Sequence, residues 1–299
     1  MRPPLYNSYC PSKWNIGRGK VKYLLALILL MIAVSGCSSL KLFYSFGGDA
    51  IQNETEFYLD LNEEEEAAVR RGVEELVSWH RAKMLPLYAD FFRKGGEVVD
   101  RGALDELRVS SAIQEMRDLL RQTVEGAVPY IASVLVGHTK PPKLNHIRAR
   151  MAERSTERRE KLEVPKLEWL LERTESSVRR FERFFGDLSE AQVAMVRRYF
   201  ADTVETSKSW QWVREDRRQA FLVFLAGRPD QDQITKFLPR ILLHSDEVVG
   251  PEYKRLADAW WARFTEWMAE MMGSLDAKQR QHFSTTLRNY ADDMIDLSS

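Results

Sequence analysis

The sequence predicts an all-α protein, an irregular multi-helix bundle of amphipathic helices, some of them long and kinked by proline, that follows an N-terminal signal peptide. Two observations lead to this fold class. From Leu61 onward apolar residues recur at intervals of three and four, the spacing that places them on one face of a helix. No segment shows the sustained alternation of apolar and polar residues that is typical of a strand, and no Asn-Gly or Asp-Gly hairpin signal occurs.

Composition narrows the class of protein. The 299 residues contain 44 Lys and Arg against 44 Asp and Glu, and 44% of the residues are hydrophobic. That apolar fraction excludes a disordered chain. Two cysteines exclude a disulfide scaffold and a cysteine-based zinc module, and the lack of a basic excess argues against nucleic acid as a partner.

The first 36 residues have the composition of a secretory signal. They carry five basic residues and no acidic one, and they contain an uncharged apolar run over residues 23–34. This run is shorter than the ~20 residues that a bilayer span needs. It ends in Val34, Ser35, Gly36 and Cys37, which together resemble the bacterial lipobox. The alternatives are an ordinary signal peptide or an uncleaved anchor that happens to hold a cysteine.

The lipobox resemblance implies that Cys37 is acylated and becomes the first residue of the mature protein. Several acyl chains on one residue anchor a protein stably, because each buried CH₂ contributes ~0.8 kcal/mol. Ser38 and Ser39 lack the aspartate that commonly retains lipoproteins in the inner membrane. We therefore expect the periplasmic face of the outer membrane, with the periplasmic face of the inner membrane as the alternative.

The segment that precedes the signal is unusually long. Residues 1–20 include Cys10 and Trp14, whereas Val21 followed by Lys22 would open a compact lipoprotein signal. We therefore expect Val21 to be the initiator and residues 1–20 to be an extension introduced by gene calling.

Amphipathic stripes define the helices in order along the mature chain. The N-terminal helical half, residues 37–139, contains two stripes: Val69, Val73, Leu76, Val77, Met84, Leu87, Tyr88 and Phe91, then Leu104, Leu107, Ile113, Met116 and Leu120. The C-terminal bundle, residues 166–299, contains the following stripes: Leu167, Leu170, Leu171, Val178, Phe181 and Phe185; Val193, Val196 and Phe200 running on to Phe221 and Leu225; Tyr253, Leu256, Trp260, Phe264, Trp267 and Met271; Phe283, Leu287, Tyr290, Met294 and Leu297.

Capping signals predict where three helices begin. Ser189 and Gln192 form a capping box, and looser versions pair Asn62 with Glu65 and Asp276 with Gln279. The alternative is that these three motifs form a shared recognition element. Glycine and proline predict the breaks, at residues 95–96, 126–129, 141–142, 165, 227–229, 250–251 and 273. Pro86 and Pro239 lie inside helical patterns and are expected to kink or divide them.

A charged connector, residues 140–165, separates the two halves. From Lys140 to Lys161 it holds eight Lys and Arg against three Glu. The candidate anion-binding residues are Arg148, Arg150, Arg154, Arg158 and Arg159, which would contact anionic lipid headgroups or another polyanion. The interspersed glutamates favour the alternative, a solvated helix with ion pairs between neighbouring turns.

Sequence signatures of catalysis are absent. There is no His-Glu-x-x-His or Glu-x-x-His pair for a metal, no Gly-x-Ser-x-Gly elbow and no glycine-rich phosphate loop. We therefore expect no catalytic residue, no metal and no cofactor.

Two groups of side chains are candidates for a pocket. His80 lies on an apolar stripe, and a helix kinked at Pro86 would gather His80, Arg81 and Tyr88. Trp210 and Trp267 belong to two tryptophan-rich segments that could line a groove for a lipid, glycan or peptide. The alternative for both groups is ordinary core packing.

Several motifs together resemble a proteobacterial lipoprotein family of unknown function. They are the lipobox, the capped helix starts, Trp79-His80-Arg81 ahead of residues 85–89, and the ending with Ser274-Leu275, Gln279, Leu287 and Tyr290-Ala291. The resemblance covers nearly the whole mature chain from Cys37, but it brings no activity, cofactor or catalytic residue. In this chain Glu65 stands where the family form has glutamine.

Three hypotheses about function follow. The first is a non-enzymatic lipoprotein, anchored in the membrane through acylated Cys37, that binds an envelope protein or lipid partner or maintains the envelope. The second is a carrier of a lipid or other amphiphile in an aromatic-lined cavity, and the third is a hydrolase of envelope glycans. A continuous cavity lined by Trp210 or Trp267 would favour the carrier, facing carboxylates in a cleft would favour the hydrolase, and a filled core would favour partner binding.

Overall fold

A computed structural model of the protein describes residues 39–102, 104–160 and 163–299. Within these ranges the chain forms eleven α-helices and one 3-10 turn, without any β-strand, so the all-α prediction is confirmed. The lipobox, Cys37 and the signal peptide fall outside the described residues, and the lipidation of Cys37 stays a prediction.

The helices follow one another with short connections. The first four are α1 (Ser39–Tyr58), α2 (Glu63–Lys83), α3 (Leu85–Asp100) and α4 (Glu106–Leu135), which runs into the 3-10 turn Val136–His138. The next three are α5 (Pro141–Glu160), α6 (Lys166–Phe185) and α7 (Glu190–Ala226). The last four are α8 (Gln231–Leu242), α9 (Asp246–Val249), α10 (Pro251–Gly273) and α11 (Ala277–Ser298).

Helix starts agree with the capping signals. Capping boxes begin α2 at Asn62, α7 at Ser189 and α11 at Asp276, as the sequence predicts, and a fourth box begins α8 at Asp230. The predicted division at Pro86 is also observed, because α2 ends at Lys83 and Pro86 occupies the first turn of α3. Helix α1 lies before the first predicted stripe, and the sequence analysis does not predict it.

The break predicted at Gly95 and Gly96 is wrong, because both residues lie within α3. A Cβ atom added at Gly96 would lie 3.3 Å from the carbonyl oxygen of Ser284 on α11. The glycine therefore permits close approach of two helices, a use of this residue that is independent of turns. Ala89 and Ala291, both fully buried, continue the same contact between α3 and α11.

The break predicted over residues 126–129 is wrong for a similar reason. Helix α4 continues through Gly126 and Pro129. The indole of Trp79 on α2 covers Gly126 so closely that an added Cβ would lie 1.9 Å from its Cζ2 atom. The glycine thus accommodates an aromatic ring from a neighbouring helix.

The charged connector is largely helix α5, and one face of α5 is part of the core. Leu144 and Ile147 are buried together with Leu59, which directly follows α1, and with Leu222 and Leu225 of α7. The connector therefore packs against helices from both predicted halves, and its arginines lie on its remaining surface. None of the described helices combines the length and the hydropathy that crossing a bilayer requires.

Candidate ligand-binding groove

A large groove runs between the helices that surround α5 and α7. Its volume is about 1800 Å³. This exceeds the roughly 300–1,000 Å³ that pockets for drug-sized ligands occupy. The groove is lined by residues of α1, α2, α4, α5, α6, α7, α8 and α10, so nearly the whole fold contributes to it.

Helical periodicity explains how each wall presents its side chains. Helix α1 supplies Ile51, Glu54, Thr55 and Tyr58, and α5 supplies Met151, Arg154, Ser155 and Arg158. Both sets have the spacing i, i+3, i+4, i+7 that defines one helix face. Helix α7 follows the same rule, with Trp210, Arg214, Arg217, Arg218 and Phe221 facing the groove.

Aromatic and aliphatic side chains form one part of the lining. The ring of Trp210 on α7 meets that of Tyr253 on α10 edge-on, with centroids 5.7 Å apart. Trp260 and Trp261 on α10 also line the groove, and their rings lie 4.6 Å apart. Other apolar residues of this lining are Leu76, Tyr130, Ile131, Val134, Leu135, Phe221, Leu238, Ile241 and Leu242.

Arginines form the other part of the lining. Among the residues that the structure describes, six arginines and three glutamates line the groove. The arginines are Arg154, Arg158, Arg173, Arg214, Arg217 and Arg218, and the glutamates are Glu54, Glu172 and Glu215. Because Arg214 follows Trp210 by four residues on α7, the cationic and aromatic parts adjoin on one helix face.

Two of these arginines are paired with carboxylates. Arg154 bridges Glu54 of α1 at 3.2 Å and Glu157 of its own helix at 3.1 Å. Its guanidinium also lies 4.3 Å from the ring centroid of Phe57, within the range of a cation–π contact. Arg218 donates from Nε to Glu215 at 2.8 Å, and this pairing lowers the pKa of the Glu215 carboxyl below its ordinary value.

The other four have no acidic partner within salt-bridge distance among the described residues. They are Arg158, Arg173, Arg214 and Arg217. Partial burial, then the neighbouring charges of Arg158, Arg217 and Arg173, lower the pKa of the Arg214 guanidinium from its ordinary value. Three like charges therefore lie close enough to Arg214 to repel it. We name these four residues the arginine cluster.

His80, Arg81 and Tyr88 all lie outside the groove, and of the three only Arg81 lines a second, smaller cavity of about 650 Å³. The hydroxyl of Tyr44 on α1 shares a hydrogen bond with Nδ1 of His80, and the rings of His80 and Tyr88 lie 5.7 Å apart. The Tyr88 hydroxyl pairs with Thr123, and Arg81 is exposed and donates to the Leu297 carbonyl at 2.8 Å. These bonds tie α1, α2, α3, α4 and α11 together. Burial lowers the pKa of His80 from its ordinary value.

The two predicted tryptophans have different surroundings. Trp210 lines the groove, whereas Trp267 is 7% exposed and belongs to a packed cluster with Phe185, Val196, Met271 and Leu275. Its indole N–H donates to the carbonyl of Met195 at 3.3 Å, so its one polar atom is already used.

The five candidate anion-binding residues are likewise divided. Arg154 and Arg158 line the groove. Arg148 donates to Asn145 and Arg150 pairs with Glu153, both on α5 itself, and Arg159 is exposed outside the groove.

Sequence reasoning missed the arginines contributed by other helices, which are Arg173 of α6 and Arg214 and Arg217 of α7. A signal for the α7 pair exists, since Trp210, Arg214, Arg217 and Phe221 lie on one face of α7. Nothing local indicates that this face is opposite Arg158, because that relation depends on how α5, α6 and α7 pack.

The groove offers little for catalysis by carboxylates. Of its three glutamates, Glu54 and Glu215 are each held by an arginine. A general acid needs a raised pKa, whereas that of Glu215 is lowered. Over the described ranges, no three His, Cys, Asp or Glu side chains are grouped so that they could hold a metal ion.

Comparison with known proteins gives one match. A family model described as "Family of unknown function (DUF6279)" matches residues 57–254, which contain α2 to α9 and most of the residues that line the groove. The match leaves out the lining residues Ile51, Glu54 and Thr55 of α1 and Ala257, Trp260 and Trp261 of α10. No curated protein and no solved structure matches the chain.

Proposed function

The chain belongs to DUF6279, a family of unknown function, and we propose that it is a non-enzymatic proteobacterial lipoprotein that carries an amphiphilic lipid in the groove. Acylated Cys37 anchors it to the periplasmic face of the outer membrane. The observation that carries the proposal is a groove of about 1800 Å³ in which an aromatic lining adjoins a group of arginines.

The two parts of the lining match the two parts of an amphiphile. Burial of apolar surface contributes roughly 25 cal/mol per Å², and acyl chains supply that surface against Trp260, Trp261 and their neighbours. A charged headgroup at the arginines remains hydrogen-bonded, as a polar group that leaves water must be. A protein core that was filled throughout would favour binding on the surface instead.

The position of α1 supports access from a membrane. Ile51, which lines the groove, lies twelve residues after Ser39, which places it roughly 18 Å along the helix. Lys41 bridges Asp293 at 3.4 Å and Asp296 at 2.7 Å, so the start of α1 is held against α11. A protein anchored through Cys37 would therefore hold the groove close to the bilayer.

Photocrosslinking in cells tests the proposal on the full chain. A benzoylphenylalanine at Ala257, which lines the groove, is expected to give an adduct of lipid mass after irradiation. The same group at Ala262, exposed on the same helix and outside the lining, is the matched control and is expected to give none. Mass spectrometry of the intact protein reports both.

A blocking substitution checks that the adduct forms in the groove. Gly72 lines the groove, and an added Cβ there meets nothing within 4 Å. Gly72→Trp should therefore fill part of the groove without strain and reduce the adduct, whereas Gly47→Trp, at an equally open helical glycine outside the lining, should not. An adduct of protein mass at Ala257, or none at all, would refute the carrier and favour partner binding.

A further inference from the structure

The four guanidinium groups of the arginine cluster have no carboxylate within salt-bridge distance among the described residues, so their positive charges are not neutralised by ion pairs. Its four members come from three helices: Arg158 from α5, Arg173 from α6, and Arg214 and Arg217 from α7. Arg158, Arg173 and Arg214 are exposed and Arg217 is half-buried. Like charges that line one groove repel one another, which disfavours this arrangement when no counter-charge is bound. An anion that enters the groove removes this repulsion and gains charge-assisted hydrogen bonds at the same time.

The number of arginines indicates the kind of anion. One carboxylate carries one charge and is satisfied by a single guanidinium in a bidentate pair. A phosphate monoester carries about −1.5 to −2 at neutral pH and presents three acceptor oxygens. It therefore accepts hydrogen bonds from several guanidinium groups that approach from different helices, as these do.

The surroundings of Arg173 support a fixed site. Its guanidinium lies 5.7 Å from the ring centroid of Trp169 and 5.6 Å from that of Phe200. Both distances are within the range of cation–π contacts, which orient a planar guanidinium without neutralising its charge. Arg173 is thus positioned by aromatic rings, and its hydrogen-bonding edge has no carboxylate to bind among the described residues.

We propose that the arginine cluster binds the phosphate of a lipid headgroup that carries close to two negative charges, while the acyl chains of the same lipid occupy the aromatic part of the groove. This inference rests on the proposed function and names its ligand class. Trp210 lies one helical turn before Arg214, so the apolar and anionic parts of one molecule reach both surfaces without a gap.

Phosphorus labelling tests the inference separately from the proposed function. Cells grown with ³²P and carrying the crosslinker at Ala257 are irradiated, and the adduct is examined for both lipid mass and radioactivity. A lipid adduct that contains phosphorus is expected. A lipid adduct without phosphorus overturns the headgroup inference and leaves the carrier intact, whereas the absence of any lipid adduct removes the carrier itself.

Purified full-length protein provides the chemical comparison. It is reconstituted in dioleoylphosphatidylcholine vesicles that contain equal amounts of dioleoylphosphatidate, oleate and dioleoylglycerol, and the crosslinked species are weighed. We expect phosphatidate to be captured about tenfold or more above either competitor, the ratio that a lost charge-assisted contact produces. Equal capture of all three lipids, or preference for oleate, overturns the inference.

Charge removal locates the headgroup. The double variant Arg214→Gln/Arg217→Gln should abolish the preference for phosphatidate while still capturing lipid. Arg197→Gln makes the same type of change on α7 at an exposed arginine outside the groove and should preserve the preference.

Competition with added pyrophosphate distinguishes a lipid headgroup from free phosphate as the ligand of the arginine cluster. If pyrophosphate displaces all bound lipid, the cluster is a site for free phosphate and the inference is wrong.

Discussion

Gln192 and Gln279 form a buried amide pair, and its hydrogen bonds allow the loss of unfolding free energy on substitution to be predicted. Each is the third residue of its helix and closes its own capping box, and the two side chains are 2% and 7% exposed. Each Nε2 donates to the other's Oε1 at 2.9 Å, which joins the starts of α7 and α11. Gln192 also donates to the Ser274 hydroxyl at 3.1 Å, and Gln279 to the Asp187 carbonyl at 2.8 Å.

Gln192→Ala removes both bonds of the pair, the bond to the Ser274 hydroxyl, and the bond that Oε1 accepts from the Ser189 N–H at 2.9 Å. A net hydrogen bond contributes about 1 kcal/mol, and a buried polar group left unpaired costs about 1–3 kcal/mol. The expected loss is therefore about 3 kcal/mol of unfolding free energy. Gln233→Ala in the box of α8 is the matched control, because Gln233 is exposed and its amide bonds only to the Asp230 N–H. Its expected cost is about 0.5–1 kcal/mol.

Equilibrium urea denaturation followed by circular dichroism measures both losses. The loss of unfolding free energy in the double variant Gln192→Ala/Gln279→Ala should be smaller than the sum of the two single losses by about 1–2 kcal/mol. The reason is that each single change leaves the other amide buried without its partner. If Gln192→Ala costs no more than Gln233→Ala, or if the two losses add, the amide pair is not a joint between α7 and α11 and this reasoning is refuted.

Two further predictions concern α2 and its neighbours. Gly126→Ala should cost about 1–3 kcal/mol in the same urea assay, because the new methyl overlaps the Trp79 indole, while Gly47→Ala at an open helical position should be neutral or stabilising. Equal effects would contradict the contact. The lowered pKa of His80 means that the folded state binds fewer protons than the unfolded state, so its contribution is complete above pH 6.5 and is lost as pH falls through the folded pKa. Unfolding free energy should therefore decrease as the pH falls below 6.5, and less so in His80→Gln. Identical pH profiles would exclude this role.

Much of the local structure is predictable from the sequence because it depends on near neighbours in the chain. The capping boxes at Asn62, Ser189 and Asp276 place three helix starts correctly, since a box is closed by residues three apart. The exception is α1, which contains Gly47 and Gly48. It packs against α2 and is held to α11 by Lys41, and these contacts exist only in the folded chain.

Whether a glycine ends a helix or permits close packing cannot be predicted from its neighbours in the sequence alone. Gly250 has a positive φ of 97° and precedes α10, as a breaker should. Gly96 and Gly126 would be predicted as helix breaks by the same rule, but both lie within helices. Glycine is needed at these two positions because Ser284 and Trp79 occupy the space that a side chain would fill. Which of these two roles a glycine has depends on what packs against it.

The candidate site divides in the same way. The sequence by itself determines that Trp210 and Arg214 share a face of α7 and that Arg154 and Arg158 share a face of α5, because helical geometry sets these relations over a few residues. Only the tertiary structure decides that these faces meet around one groove, that Arg173 joins them, and that Trp267 belongs to the core instead. The physical reason is that side-chain packing between helices distant in the chain selects their relative positions, and periodicity within one helix carries no information about them.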